Sequence, residues 1–530
     1  MDLHSLTRRL YDLPEQSISY YEGRKAVRKS YRELLVDVDA VQERLRACGL
    51  QAGMHVGILA DNCYEWILHD LALLSMQCVV VAFPPEEFAN APISEIADRY
   101  DLQLLLVRKK FLREAEAHDW VGILEGNADQ QLRLRKSANT LKLEPDICNL
   151  VFSSGTSGTL KCLKISKTGT EEWLASCGRK YTFRPDDCLI IVLPLSNYQQ
   201  RLMVYLAIWH GFDLALADPA RFLPALKDLR PTILAGPPAF YELLENRFRN
   251  LPQSKQRLLL AVGGLIRTLT FGRLRQKLLQ KWFSSFYSVF GDRVRIMITG
   301  GAPARHSTLD LFAQLGLPLY EVYGLGETGF IAVNLPGANR MGSVGKPLNE
   351  GAVIIEDDGE IVVDYKAPLC LGYLWCDAET VSKTFLSSGR IATGDLGKFD
   401  TEGYLYITGR KKQVIITAAG YKLQPEQLER EIEKSSEVSR AVVFGGGELP
   451  ILVALISLGV EDNSQSRQRV DSLIAKLNTK VPTPSQIGRT VFTTTRFTTD
   501  NGLLTRNLKI DRQAIYNTFR SSLLNGSQPH

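Results

Sequence analysis

The chain opens with a helical pattern. From Tyr31 to Cys48 the apolar residues Leu34, Leu35, Val38, Val41 and Leu45 recur at helical spacing, and Gly49 follows where a helix stop is expected. His55 to Ala60 is then a short apolar run, followed by Asp61-Asn62, a second helical pattern from Tyr64 to Met76 and the β-rich run Cys78 to Ala82. Strand, helix and strand in that order form the unit from which parallel sheets are built. Leu104 to Val107, Leu189 to Leu193, Thr232 to Ala235 and Arg295 to Thr299 read as further strands, with helical patterns between several of them. The pattern predicts an α/β protein: a large, multilobed N-terminal body of mainly parallel sheets flanked by helices.

Near Tyr404 to Ile416 the texture changes to a strand-like stretch broken by Gly409 to Gln413. A charged helix follows (Pro425 to Lys434), then strands at Arg440 to Phe444 and Ile451 to Ile456, a helix from Arg467 to Leu477 and a last strand around Val491. These elements predict a small α+β C-terminal domain, which divides the chain into 1–411 and 412–530.

Composition narrows the class without naming a function. The 530 residues are 45% hydrophobic and 23% charged, as in an ordinary globular protein too long for one core. A net charge of +5 is too mild to imply nucleic acid as a partner. Nine cysteines without a CxxC spacing argue against a disulfide framework or a structural zinc site and point to a reducing, cytoplasmic setting. The first residues lack the apolar core of a signal peptide, and no run reaches the length of a membrane span, so integral insertion is not expected.

One segment departs from this average. Between Asn250 and Gly291 there is no acidic residue, whereas Lys255, Arg257, Arg267, Arg273, Arg275, Lys277 and Lys281 are basic. Leu274, Leu278 and Trp282 recur every fourth position on one helical face. Two readings fit: a helix lying on an anionic membrane, or a core-facing stripe with a solvated basic side. Peripheral membrane contact through 250–291 is therefore an expectation to be tested.

The sharpest chemical feature is the run Leu150 to Lys161, in which an apolar strand leads into Ser153, Ser154, Gly155, Thr156, Ser157 and Gly158 before Lys161. Glycines let backbone approach an anion, and hydroxyls and N–H groups supply the donors that a triphosphate needs. The spacing is not that of a Walker loop. A flexible Ser/Gly linker is the competing reading.

This run resembles the phosphate loop of the adenylate-forming superfamily, which includes acyl-CoA ligases, luciferases and peptide-synthetase adenylation domains, with Leu160 and Cys162 where that family has Pro and Gly. Further similarities follow in family order. Gly300-Gly301-Ala302-Pro303 resembles the adenine-side loop, and Tyr323-Gly324-Leu325-Gly326-Glu327 resembles the segment whose Glu helps to hold magnesium. Thr393-Gly394-Asp395 is similar to the segment that binds the ribose hydroxyls, and Gly409-Arg410 to the ribose-contacting pair, with Lys412 at the hinge position. Asn501 to Lys509 resembles the catalytic-lysine loop in its long-chain acyl-CoA ligase form, and Leu193 to Arg201 and Arg230 to Pro238 are similar to the long-chain ligases more than to peptide-synthetase domains. Asn197 stands where the family usually has His, and Gly326 where it usually has Thr.

The resemblance implies ATP-dependent activation of a small-molecule carboxylic acid to an acyl-adenylate, followed by thioester formation. It implies Lys509 and Glu327 as catalytic residues and Glu327 and Thr156 around Mg2+. It assigns Ser153 to Gly158, Lys161, Gly301, Ala302, Pro303, Tyr323, Gly324, Asp395 and Arg410 to the nucleotide, and Asn197, Gly236 and Gly420 to the acid and thiol side. The acceptor would be CoA or the phosphopantetheine of an acyl carrier protein. A catalytically weakened adenylate-binding protein is the remaining alternative, suggested by Asn197 and Gly326.

Overall fold

The computed structural model describes residues 2–113, 118–125, 132–135 and 136, 141–154, 160–417, 421–435, 437–459, 462–505 and 510–525. Two sheets dominate the N-terminal body. In the first, Ile147–Ser154, Val79–Phe83, His55–Leu59, Leu104–Val107 and Val121–Ile123 lie side by side and parallel, and Leu160–Ser166 and Cys370–Leu374 extend one edge antiparallel. The second runs parallel from Leu319–Leu325 through Ile296–Thr299, Ile233–Gly236, Cys188–Ile191 and Asp213–Leu216 to Ser17–Glu22, with antiparallel strands closing both ends. The apolar runs form these parallel strands because both of their faces are covered; every residue of His55–Leu59 and Val79–Phe83 is buried.

Helices Tyr64–Ser75 and Tyr198–His210 share one core with strands of both sheets: Leu71 and Leu206 belong to the same cluster as Val80 and Ile191. At its centre Arg201, 0% exposed, pairs with Asp70 and donates to the Asn149 side-chain oxygen. Tyr205 Oη donates to Asp70 Oδ2 at 2.7 Å, and the guanidinium lies 5.0 Å from the Trp66 ring centre. Three elements meet in this one ion pair: the two helices, and the strand that leads into the Ser/Gly loop.

A four-stranded antiparallel sheet, Val353–Ile355, Glu360–Val363, Ile391–Phe399 and Leu405–Arg410, completes the body. Beyond it, Val438–Gly446, Leu449–Leu458 and Ile487–Thr493 form a three-stranded sheet. Leu428, Ile432, Val470 and Ile474 from helices Pro425–Ile432 and Ser464–Asn478 pack in one core with this sheet. Ile515, Phe519 and Leu523 of the helix Arg512–Asn525 pack in a second core with it. That last helix is absent from the reading of the sequence, which ends at the strand around Val491. Among the described residues all nine cysteines are free thiols.

Asp70→Ala would leave Arg201 charged, buried and without its counter-ion, which costs about 3–5 kcal/mol. Denaturant unfolding should show the unfolding free energy lowered by that amount, with the midpoint at a lower concentration. Tyr205→Phe, which removes two hydrogen bonds, one to Asp70 and one from Arg201, but keeps the ion pair, should cost less, about 1.5–3 kcal/mol.

Candidate active site

The strand Ile147–Ser154 turns back as Leu160–Ser166, pairing Ser153 with Lys161 and Phe152 with Cys162. The hairpin thus sets the two ends of the Ser/Gly run beside each other. Gly155, Thr156, Ser157 and Gly158, like Gly420 and Lys509, lie outside the described residues, as does the side chain of Ser154. Lys161 Nζ sits 4.4 Å from the Tyr373 ring centre, and Tyr373 Oη donates to Glu327 Oε1 at 2.6 Å. Burial and the neighbouring Glu327 raise the Tyr373 phenol, which therefore stays a donor. Tyr373 lies on the edge strand Cys370–Leu374 that pairs with Leu160–Ser166, so strand pairing joins the phosphate hairpin to Glu327.

Glu327 follows the strand Leu319–Leu325, whose register shifts between Tyr323 and Gly324. A side chain at Gly324 would come within 2.1 Å of the Gly329 carbonyl oxygen, so only glycine lets the two strands approach there. Gly326 faces the hairpin: a Cβ built on it would lie 3.2 Å from Leu163 Cδ2 and 3.8 Å from Ser153 Cβ. Glycine at 326 thus leaves no side chain in the space directly beside this hairpin.

Tyr323 reaches the other way. Its hydroxyl donates to Asp395 Oδ2 at 2.7 Å, while Arg410 Nε lies 2.8 Å from Asp395 Oδ1. Asp395 and Arg410 face each other directly across the antiparallel pair Ile391–Phe399 and Leu405–Arg410. The carboxylate is buried, whereas the arginine is partly exposed. Thr393 fixes the turn, accepting from Asp395 N at 3.1 Å and donating to Ile361 O at 2.7 Å. Burial, then Asp395, raises the Tyr323 hydroxyl far above its usual range, so it donates at every physiological pH.

Gly300 to Pro303 follow the strand Ile296–Thr299, and Gly301 takes a left-handed φ of +79°. Gly300 backs onto Val322, since a Cβ there would sit 3.0 Å from the Val322 carbonyl oxygen, and Ala304 N donates to Glu321 Oε1 at 3.3 Å. Ala302 and Pro303 therefore lie next to the strand that carries Tyr323. Burial pushes the Glu321 carboxyl up to about 7, against the pull of its Ala304 hydrogen bond and of Arg430.

Asn197 and Gly236 stand apart from these groups; among the described residues no hydrogen bond or ion pair joins either to Glu327, Asp395 or Arg410. Asn197 caps the helix Tyr198–His210, its side-chain oxygen accepting from Gln199 N at 3.0 Å. Gly236 ends the strand Ile233–Gly236, where a Cβ would come within 2.4 Å of the Phe240 ring.

Past Arg410 the chain is held on both sides. Lys411 pairs with Glu360 Oε2 and Asp358 Oδ2, each at 2.6 Å, and Lys412 is exposed. Arg430 Nη1 donates to Ile407 O at 2.8 Å, and Arg440 lies 3.0 Å from Glu242 of the helix Pro238–Arg249.

Residues 8–386 match the AMP-binding enzyme family, and residues 412–524 match the AMP-binding enzyme C-terminal domain. The chain belongs to the AMP-binding enzyme family. A long-chain-fatty-acid–CoA ligase, FadD15, of Mycobacterium bovis is 25% identical, the match covering 90% of this chain and 89% of that protein. Human long-chain-fatty-acid–CoA ligase 1 is 26% identical over 88% of this chain and 77% of its own length. The o-succinylbenzoate CoA synthetase of Bacillus subtilis, solved with an acyl-adenylate, shares the fold with a TM-score of 0.70 at 18% identity, covering 97% of this chain and 98% of that one. The protein is therefore an adenylate-forming enzyme of the acyl-CoA ligase kind that activates a carboxylic acid with ATP. Among the described residues no helix is long and apolar enough to cross a membrane.

Tyr373 and Glu321 escaped the sequence reading. An aromatic residue in a short apolar strand looks like core, and only the pairing of that edge strand brings Tyr373 to Glu327. Glu321 carried a usable signal: it is an acid two residues before Tyr323, on the same side of a strand whose alternate positions share a face.

Glu321 yields a pH prediction. Its ordinary value is 4.5 and its folded value about 7, so folded protein keeps a proton that the unfolded chain has released. Stability therefore falls as pH rises through that window. Glu321→Gln should remove this component, giving a variant more stable than the parent at pH 7.5 by about 1–3 kcal/mol and equal to it near pH 4. Thermal melts of both proteins across that range check it.

Proposed function

We propose that the enzyme activates a long-chain fatty acid and passes it to CoA. The observation that supports the nucleotide half of this reading is the buried Asp395, bound at once by Tyr323 and Arg410; the similarity to long-chain-fatty-acid–CoA ligases supports the acid and the acceptor. A carboxylate so placed accepts two ribose O–H bonds, and Arg410 offers its remaining donors to the same sugar. Tyr323 and the Gly301-Ala302-Pro303 loop flank the adenine. Ser153 to Gly158 and Lys161 are assigned to the triphosphate.

The acid's carboxylate oxygen attacks the α-phosphorus, the bond from that phosphorus to pyrophosphate breaks, and the acyl-adenylate remains. Two anions approach, so the protein must supply positive charge in fixed positions. Lys161 and Lys509 supply it from opposite domains. Glu327 is a single carboxylate, half-buried and oriented by Tyr373, and no cluster of three acidic, His or Cys groups exists among the described residues. That donor set suits Mg2+, which is commonly held by one or two carboxylates together with substrate phosphates, with Thr156 as a further oxygen. Bound there, the ion would neutralise phosphate charge.

Residues 1–411 and 412–530 act as two domains turning about Lys412. Lys509 serves adenylation and then withdraws, and Gly420 makes room for pantetheine. The thiol then attacks the acyl carbonyl carbon, and AMP leaves. Asn197 and Gly236 are assigned to the acid side. A carrier-protein phosphopantetheine is the alternative acceptor, and product analysis with CoA against an acyl carrier protein separates the two. The free thiols suit a reducing, cytoplasmic setting.

Asp395→Asn should raise the ATP KM by about ten- to a hundredfold, the loss expected for a charge-assisted hydrogen bond, with a much smaller change in the acid KM. Lys509→Ala should lower acid-dependent pyrophosphate release by about two decades or more. Supplied with prepared acyl-adenylate and CoA, the same variant should still form thioester at near the parent rate. Equal damage to both half-reactions in folded protein would sink the alternating-domain reading.

A further inference from the structure

The basic segment forms two helices, Gln253–Leu269 and Gly272–Trp282, joined by Thr270 and Phe271. Their inner sides are accounted for. Leu259, Leu260 and Ile266 pack against the neighbouring core, Gly263 meets the Phe283 ring, and Leu279 and Phe283 are buried. Arg267 is tied to the Gln314 carbonyl oxygen.

The outer sides are not. Leu258, Leu265 and Leu269 are 59%, 57% and 69% exposed, and their spacing of seven and then four residues places them on one face of the first helix. On the second helix Leu274, Leu278 and Trp282, spaced by four, are 59%, 36% and 39% exposed. The stripe that could have faced the core therefore faces outward, and Leu279 and Phe283 do the packing instead. Phe271, 75% exposed, bridges the two stripes, and Trp282 Nε1 donates to Leu259 O at 3.3 Å, tying one helix to the other. Single exposed apolar residues are ordinary on a surface; a contiguous set of this kind marks an interaction site.

Charge decides the partner. Lys255, Arg257, Lys277 and Lys281 are exposed around these stripes, and the segment from 251 to 291 contains no acidic residue at all. Long basic side chains can lay their stems on apolar surface and keep their charge at its edge. Leucine, phenylalanine and tryptophan in the middle with lysine and arginine at the rim fit the boundary between acyl chains and anionic headgroups. A second copy of the chain would bring like charge against like charge.

We propose that this helical hairpin docks the enzyme on the surface of an anionic lipid bilayer, without crossing it. The docking holds whichever acid is activated, so its failure leaves the adenylation reading untouched.

The experiment is co-sedimentation of the full chain with vesicles of phosphatidylcholine alone or mixed with phosphatidylglycerol. At low salt the protein should pellet with the anionic vesicles and not with the neutral ones, and about 0.5 M salt should release most of it. Lys277→Glu with Lys281→Glu, and separately Leu274→Ser with Leu278→Ser, should each weaken binding by about tenfold or more. Unchanged ATP affinity of each variant certifies its fold. Brominated lipid should quench tryptophan emission in the parent and much less in Trp282→Phe. The proposal is overturned by absence of binding at low salt, by binding that these substitutions leave unchanged, or by a dimer in solution that Leu278→Glu dissociates.

Discussion

The buried pair of Arg201 and Asp70 is the constraint from which the body of the enzyme is assembled. A guanidinium with no solvent exposure is tolerable only with a counter-ion and acceptors in place, and here those come from two different elements. Asp70 lies on the helix between two strands of the first sheet, and Asn149 on the strand that leads into the phosphate hairpin. Arg201 itself belongs to the helix capped by Asn197. The charge therefore fixes the hairpin relative to the segment Leu193 to Asn197, which Asn62 holds from the first sheet by donating to Leu193 O and accepting from Leu195 N. Shifting any one of these elements would leave a charged group buried without its partner.

The candidate nucleotide site uses the same logic at smaller scale. Asp395 is buried, and its two oxygens are taken by Tyr323 from the large sheet and Arg410 from the last strand before the proposed hinge. Strand pairing carries the second arm, in which Leu160–Ser166 aligns Cys370–Leu374 and so sets Tyr373 between Lys161 and Glu327. Both arms start from one strand, Leu319–Leu325, which Gly324 allows to pack closely on its neighbour. Strands thus carry all of these polar groups except Glu327, an arrangement suited to preorganised stabilisation of charge.

The stretch just past Arg410 adds contacts of a different kind. Lys411 is anchored to Glu360 and Asp358 on the body, while Arg440 of the small domain reaches Glu242 on the helix that begins just after Gly236. The Lys411 pairs are partly exposed and individually weak, whereas Arg440 and Glu242 are only 18% and 11% exposed and hold the two segments more firmly. The exposed hairpin beyond that helix is the reverse case, a surface whose own chain leaves it uncovered.

Short windows of sequence determined the strand and helix alternation, because period and apolar run length are local properties, and His55–Leu59, Tyr64–Ser75 and Leu104–Val107 stand where that pattern puts them. Local composition also singled out the Ser/Gly run and the segments around Tyr323, Asp395 and Arg410. It did not disclose the helix Arg512–Asn525, whose core stripe of Ile515, Phe519 and Leu523 is sparse among polar residues. Nor could it disclose which stripe of Gly272–Trp282 is covered, since amphipathic periodicity is the same whether water, core or lipid lies against it. Tertiary structure alone decided that Arg201 pairs with Asp70 across 131 residues, that Tyr323 meets Asp395 across 72, and that Tyr373 reaches Glu327 across 46. Such partnerships depend on burial and on which strands lie side by side, and neither is a property of any one stretch of chain.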